Sequence, residues 1–173
     1  MKNKNIFITG ADGFIGSHLC ERLLELGANV TALATYNSFG SIGWLSEINK
    51  TYITKLRIIS GDITDESFIK NTIVEYDYVF HLAALISIPY SYIAPNAYLK
   101  TNVMGTLNIL NACKENKIGR LIHTSSSEVY GTAIYTPIDE KHPLQGQSPY
   151  SASKISSDHF VESYVKSFEL PAV

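Results

Sequence analysis

Cysteine and net charge are both scarce in this chain of 173 residues, and each shortage removes a class of function. Cys20 and Cys113 stand far apart and match no zinc or redox spacing, so no metal is expected and both thiols read as reduced and partly buried. A formal net charge of −2 offers no basic face to a phosphate backbone, which argues against nucleic acid as a partner. No apolar run approaches the ~20 residues that a membrane span needs. Lys2 and Lys4 precede Ile6-Phe7-Ile8, but Thr9-Gly10-Ala11-Asp12-Gly13 interrupts that run too soon for a secretory leader. A cytoplasmic protein is therefore expected. Internal repeats and low-complexity tracts are missing as well. The remaining composition, 45% hydrophobic and 17% charged, is that of one soluble domain with a real core.

What the chain does have is an alternation of short apolar runs and helical periodicity. Asn5-Ile6-Phe7-Ile8-Thr9 ends at Gly10 and reads as a buried parallel strand. Gly10-x-x-Gly13-x-x-Gly16 follows, with Ile15, Leu19, Leu23 and Leu26 at helical spacing. Strand, glycine turn and helix in this order cradle a phosphate, because glycine admits close backbone approach and a helix N-terminus favours negative charge. Further strands are expected at 29–34, 56–60, 78–84 and 120–123, and further helices at 67–75, 96–117 and 148–168. Leu170 to Val173 reads as the start of another strand. Residues 37–54 show no clear period, and 85–95 and 132–147 read as loops. The alternation predicts an α/β fold, a right-handed, doubly wound parallel sheet of Rossmann type. Leu99, Val103, Leu107 and Leu110 mark one apolar face of the 96–117 helix. Phe160, Val161, Tyr164, Val165 and Phe168 mark that of the 148–168 helix.

Several side chains in this frame suggest chemistry. Tyr150 and Lys154 stand four apart, on one face of the last helix. A free phenol with a pKa near ~10 is a poor base, and a neighbouring ammonium favours its phenolate. Ser125 to Glu128 follow the fifth strand, at the sheet edge where parallel α/β folds place ligands. Asp62 suits either an acceptor for an adenine amino group or a turn residue. His81 reads as a satisfied core histidine. The second strand ends in Ala34-Thr35-Tyr36-Asn37-Ser38, with neither the carboxylate that holds a ribose diol nor an arginine for a 2′-phosphate.

Taken together, the glycine motif, Asp62-Ile63, His81-Leu82-Ala83-Ala84, Asn102, Ser126-Ser127-Glu128 and Tyr150-x-x-x-Lys154 resemble the extended short-chain dehydrogenase/reductase family. The resemblance runs through the whole chain in the family's order. It implies a nicotinamide cofactor, NAD, with NADP left open. Gly10, Asp12, Gly13, Phe14, Ile15 and Gly16 would hold it at the first turn, Asn37, Asp62 and Ile63 at the adenosine end. Leu82, Ala83, Ala84, Tyr150 and Lys154 would hold the rest, and Asn102 would support Lys154 through water.

The triplet Ser126-Ser127-Glu128 and the run Ser148-Pro-Tyr-Ser-Ala-Ser-Lys154 resemble the nucleotide-sugar 4,6-dehydratases. Gly43-Trp-Leu45, Ile88-Pro-Tyr-Ser91 and Pro137-Ile-Asp-Glu-Lys-His-Pro-Leu144 look closer to the NAD-dependent dehydratases of the legionaminic-acid pathway. The implied substrate is a nucleotide-diphospho-sugar. Tyr150 is then the base at the C4 hydroxyl, Ser126 its hydrogen-bonding companion and Glu128 the base at C5. Ser127 replaces the aspartate of dTDP-glucose enzymes, which leaves the C6 acid open. The alternatives are a C4 epimerase, a sugar decarboxylase, or a dinucleotide-binding module without turnover. Family members continue into a sugar-binding lobe, so residues 1–173 are expected to form the cofactor domain with the catalytic residues, inactive or nearly so alone. The family also implies a homodimer paired through helices 96–117 and 148–168.

Overall fold

Ile6, Phe7 and Ile8 have no solvent exposure, so the first strand is covered on both faces. In the computed structural model, which describes residues 1–173, this strand is β1 (Asn5–Thr9), at the centre of a five-stranded sheet. β2 (Asn29–Thr35), β3 (Arg57–Gly61), β4 (Tyr78–His81) and β5 (Arg120–His123) complete it in the order β3-β2-β1-β4-β5, all parallel. Successive side chains of β1 face opposite ways, so Ile6 and Ile8 join one core and Phe7 the other. The first core packs under α1 (Phe14–Glu25) with Cys20, Leu23, Leu24 and Val30. Residues 37–54, which show no period in the sequence, add a 3-10 turn, Gly43–Glu47, whose Leu45 is fully buried, and a short helix α2 (Lys50–Ile53).

The second core lies under α3 (Glu66–Thr72) and two later helices. α4 (Ile88–Ile93) falls where a loop is expected from the sequence. Ser87 caps it by accepting the Tyr90 N–H, and Pro89 sits in its first turn, where the missing N–H costs nothing. α5 (Pro95–Tyr98) continues through a π-helical turn, Leu99–Met104, into α6 (Gly105–Glu115). A π turn carries an extra residue, so a 3.6-residue stripe drawn through Leu107 and Val103 misses Leu99. Leu99 is 54% exposed, and Tyr98 is buried in its place.

α7 (Pro149–Phe168) departs further from expectation. Of the five residues expected to form its apolar face only Val161 and Tyr164 are buried; Phe160, Val165 and Phe168 reach solvent, with Lys114 over the Phe168 ring at 4.4 Å. Its first half packs through small hydroxyls instead: Ser153 donates to the Tyr150 carbonyl, and Ser157 to the carbonyls of Ser153 and Asn102. Beyond α7, Leu121 pairs with Ala172 in parallel, so the last residues do begin a strand beside β5. β4 stops at His81, and Leu82 to Ala84 leave the sheet. The chain winds outward from β1 to β3, then crosses to β4 and β5. That reversal between β1 and β4 opens a crevice at the strands' carboxyl ends.

Candidate active-site cleft

The crevice is a cavity of about 610 Å³. Its floor is the turn after β1. Gly10 adopts φ +65°, and a Cβ there would lie 2.7 Å from the Ala83 nitrogen. Gly16 is tighter: its Cβ would stand 2.1 Å from the Gly10 carbonyl oxygen. Both positions therefore demand glycine. α1 starts at Phe14 with no side-chain cap, and the amides of Phe14, Ile15 and Gly16 have no backbone acceptor. Unpaired N–H groups at a helix N-terminus beside close-packed glycines suit a pyrophosphate.

The far wall belongs to β5 and α7. Ser148 caps α7 by accepting the Ser151 N–H, and Pro149 occupies its first turn. The helix thus begins where Tyr150 and then Lys154 face the cleft, both nearly buried at 7% and 5% exposure. The Lys154 Nζ donates to the Thr124 carbonyl at 2.7 Å, which ties α7 to the end of β5. Burial holds the lysine pKa below its ordinary value, and Asp158 one turn later opposes that shift. The Asp158 carboxylate in turn accepts from the Ser125 hydroxyl and from His123 Nε2.

His81 is the buried histidine that the sequence suggests, and its bonds fix its proton. Thr106 gives its hydroxyl proton to the Asn102 carbonyl, so its oxygen accepts from His81 Nε2–H at 3.0 Å. His81 Nδ1 then accepts from Thr9, whose oxygen accepts the Ala83 N–H. One directed chain thus runs from the cleft wall at Ala83 to the π turn. Burial pushes the His81 pKa well below 6.5, and burial likewise lowers that of His123. The unfolded chain binds a proton at each ring near pH 6.5, whereas the folded chain stays neutral to lower pH. Stability is therefore full above about pH 6.5 and is lost as pH falls below it. Urea titrations between about pH 7.5 and 5.5 should show a loss of about 1–2 kcal/mol; a flat profile contradicts neutral, buried imidazoles.

Thirteen of the residues singled out from the sequence meet on the cleft wall: Gly10, Asp12, Gly13, Phe14, Ile15, Gly16, Asp62, Ile63, Leu82, Ala83, Ala84, Tyr150 and Lys154. Asp62 also accepts the Thr64 N–H, so it fills the turn role too. Five others lie off that wall. Asn37 closes its own loop on Thr35 and Ser41. Asn102 is buried, its amide bonded to both backbone groups of Leu85 and to Ser153. Its carbonyl takes Thr106 and Ser157, with no direct bond to Lys154. Ser126 accepts the Glu128 N–H and Ser127 is exposed. Glu128 borders a neighbouring cavity of about 260 Å³ with Tyr92, Gln147, Ser148 and Ser151. Ser125 lines the cleft, as its place after the fifth strand suggests, and Thr35, Thr101 and Thr124 line it as well. Asp158 was legible in principle, standing four residues beyond Lys154 on the same helical face.

A family model described as GDP-mannose 4,6 dehydratase matches residues 7–173. The dTDP-glucose 4,6-dehydratase of Streptomyces antibioticus is 35% identical over 167 residues, covering 92% of this chain and 48% of the relative. The human dTDP-D-glucose 4,6-dehydratase is 31% identical over 174 residues, covering 98% and 49%. The chain thus spans about half the length of these curated relatives. Among solved structures, a UDP-N-acetylglucosamine 4-epimerase from Methanobrevibacter ruminantium superposes with a TM-score of 0.90 at 36% identity, covering 99% of this chain and 54% of its own. The dTDP-glucose 4,6-dehydratase of Streptomyces venezuelae, solved with NAD, gives 0.82 at 29% identity, covering 97% and 53%. Likeness of sequence and fold from end to end places this chain in the GDP-mannose 4,6 dehydratase family, among the extended short-chain dehydrogenases/reductases.

Proposed function

We propose that the chain is the cofactor-binding and catalytic part of a nucleotide-sugar 4,6-dehydratase using NAD. The observation that carries this reading is the placement of Tyr150 and Lys154, nearly buried, on the wall of the same cleft as the glycine turn. The uncapped start of α1 fits a pyrophosphate and the Asp62 turn fits an adenine end. Bound there, NAD would accept hydride from sugar C4 and return it at C6.

The protein's own part is proton transfer and positioning. Tyr150, reacting as its phenolate, takes the proton of the C4 hydroxyl as that carbon is oxidised. Lys154, held by Thr124, keeps positive charge beside it. A 4-keto group acidifies the C5 proton, and Glu128 removes it as the C6 hydroxyl leaves as water. Ser126 and Ser127 stand at the same turn, and the acid at C6 stays unassigned among this chain's residues. The substrate class is a nucleotide-diphospho-hexose. Pairing of two copies over α7 is the proposed assembly, supported by the exposed edge of Phe160, Val165 and Phe168.

Glu128→Gln in the full-length protein should lower formation of the 4-keto-6-deoxy product by ~10²–10⁴-fold while leaving substrate affinity within a few fold. Undiminished product formation would make Glu128 a solvated loop carboxylate. That outcome bears on a second reading, a C4 epimerase. Two observations favour it: Glu128 borders the neighbouring cavity instead of the cleft, and an epimerase superposes closely. An inverted C4 hydroxyl without loss of water is its signature.

A further inference from the structure

The end of β2 presents an unsolved problem for a dinucleotide cleft. In parallel sheets of this kind an acid there receives the ribose hydroxyls of the adenosine, yet Ala34, Thr35, Tyr36 and Asn37 supply none. Asn37 does not substitute. Its amide nitrogen donates to the carbonyls of Thr35 and Ser41, and its amide oxygen accepts the Ser41 N–H. Every polar atom of that side chain is spent on its own loop.

A carboxylate reaches the same place from the other side. Asp12 lies between the first two glycines of the motif and lines the cleft together with Thr35. Its Oδ2 accepts the Thr35 N–H at 2.9 Å, so the side chain is tethered to the last residue of β2. Its backbone carbonyl accepts the Trp44 N–H at 2.9 Å, which fixes the residue from a second direction. Oδ1 receives no hydrogen bond from the protein. The acid that a strand end would carry has thus moved into the glycine turn.

Charge on the cleft wall is sparse. Asp12 and Asp62 are its only acids and Lys154 its only base, and Lys154 is held at the far side by Thr124. A ribose diol would donate to Asp12 in charge-assisted bonds. A 2′-phosphate would meet a carboxylate with no cation nearby to offset it.

We infer that Asp12 receives the adenosine ribose hydroxyls and rejects a 2′-phosphate, which makes the cleft selective for NAD over NADP. This inference rests on the proposal that the cleft holds a dinucleotide, and the experiment separates the two. Calorimetric titrations of NAD and NADP are made on the full-length protein and on its Asp12→Ser and Asp12→Asn variants. The wild type should bind NAD at least about tenfold more tightly than NADP, the size expected when a hydrogen bond to a charged group is at stake. Asp12→Ser should lose about tenfold in NAD affinity and most of the preference. Asp12→Asn keeps an oxygen for the Thr35 N–H but removes the charge, so the preference should fall even though the turn is intact. Preference for NAD unchanged in the Asn variant, or a wild type that favours NADP, overturns the inference while the dinucleotide reading stands. A wild type that binds neither cofactor overturns both.

Discussion

Replacing Tyr150 with phenylalanine in the full-length protein should lower turnover by ~10²–10⁴-fold and leave cofactor retention and melting temperature nearly unchanged. The separation follows from what the ring and the hydroxyl each do. The ring is buried in the first turn of α7 and meets the Tyr98 ring edge-on, with centroids 6.2 Å apart. Phenylalanine keeps that packing. The Tyr150 hydroxyl bonds to no protein group, so its removal orphans no buried partner and costs little stability. What is lost is the group proposed to accept the C4 proton. Steady-state kinetics beside a thermal melt test this directly: near-normal turnover removes Tyr150 from the chemistry, and a collapsed melt would show that its role is packing.

Gly16→Val should have the largest structural effect, and should remove dinucleotide binding with it. A Cβ at this position would stand 2.1 Å from the Gly10 oxygen and 2.8 Å from the Ala11 Cα, both backbone atoms that cannot rotate away. The turn must open or α1 must lift from β1. Either change is about 3 kcal/mol of overpacking, which for a domain of this size lowers the melting temperature by roughly 6–12 °C. Gly13→Ala provides the contrast, since its Cβ would lie 3.3 Å from the same oxygen and needs only a small adjustment. Equal melting temperatures for the two variants would contradict the described geometry of the turn.

How much of this was legible in the sequence depended on whether local pattern or tertiary packing decided the element. The apolar run Ile6-Phe7-Ile8, the glycine spacing and Tyr150-x-x-x-Lys154 are local signals, and the parallel sheet and the cleft wall follow them. Leu99 misled because hydrophobic periodicity assumes 3.6 residues per turn, and the π turn at Leu99–Met104 breaks that count. Tyr90 and Tyr92 looked like loop aromatics, although the Ser87 cap and Pro89 were already a helix start. Phe160 and Phe168 looked like core because α7 was assumed to bury hydrocarbon, whereas its first half packs through Ser151, Ser153 and Ser157. No sequence period announces such packing. Nor does any spacing announce that Thr9, His81 and Thr106 meet, because they come from three different elements. Glu128 and Asn102 were named through resemblance, and only coordinates place the first on a neighbouring cavity and the second inside the π turn.

These same residues give the account its most direct test. A nucleotide-diphospho-hexose carrying deuterium at C4 is turned over by the full-length protein, and the product is read by mass spectrometry and NMR. A 4,6-dehydratase must release one water and deliver the C4 deuterium to C6 of the same molecule, and the account predicts that product. Deuterium retained at C4 of an inverted, fully hydroxylated sugar would instead make the protein an epimerase and contradict the role given to Glu128.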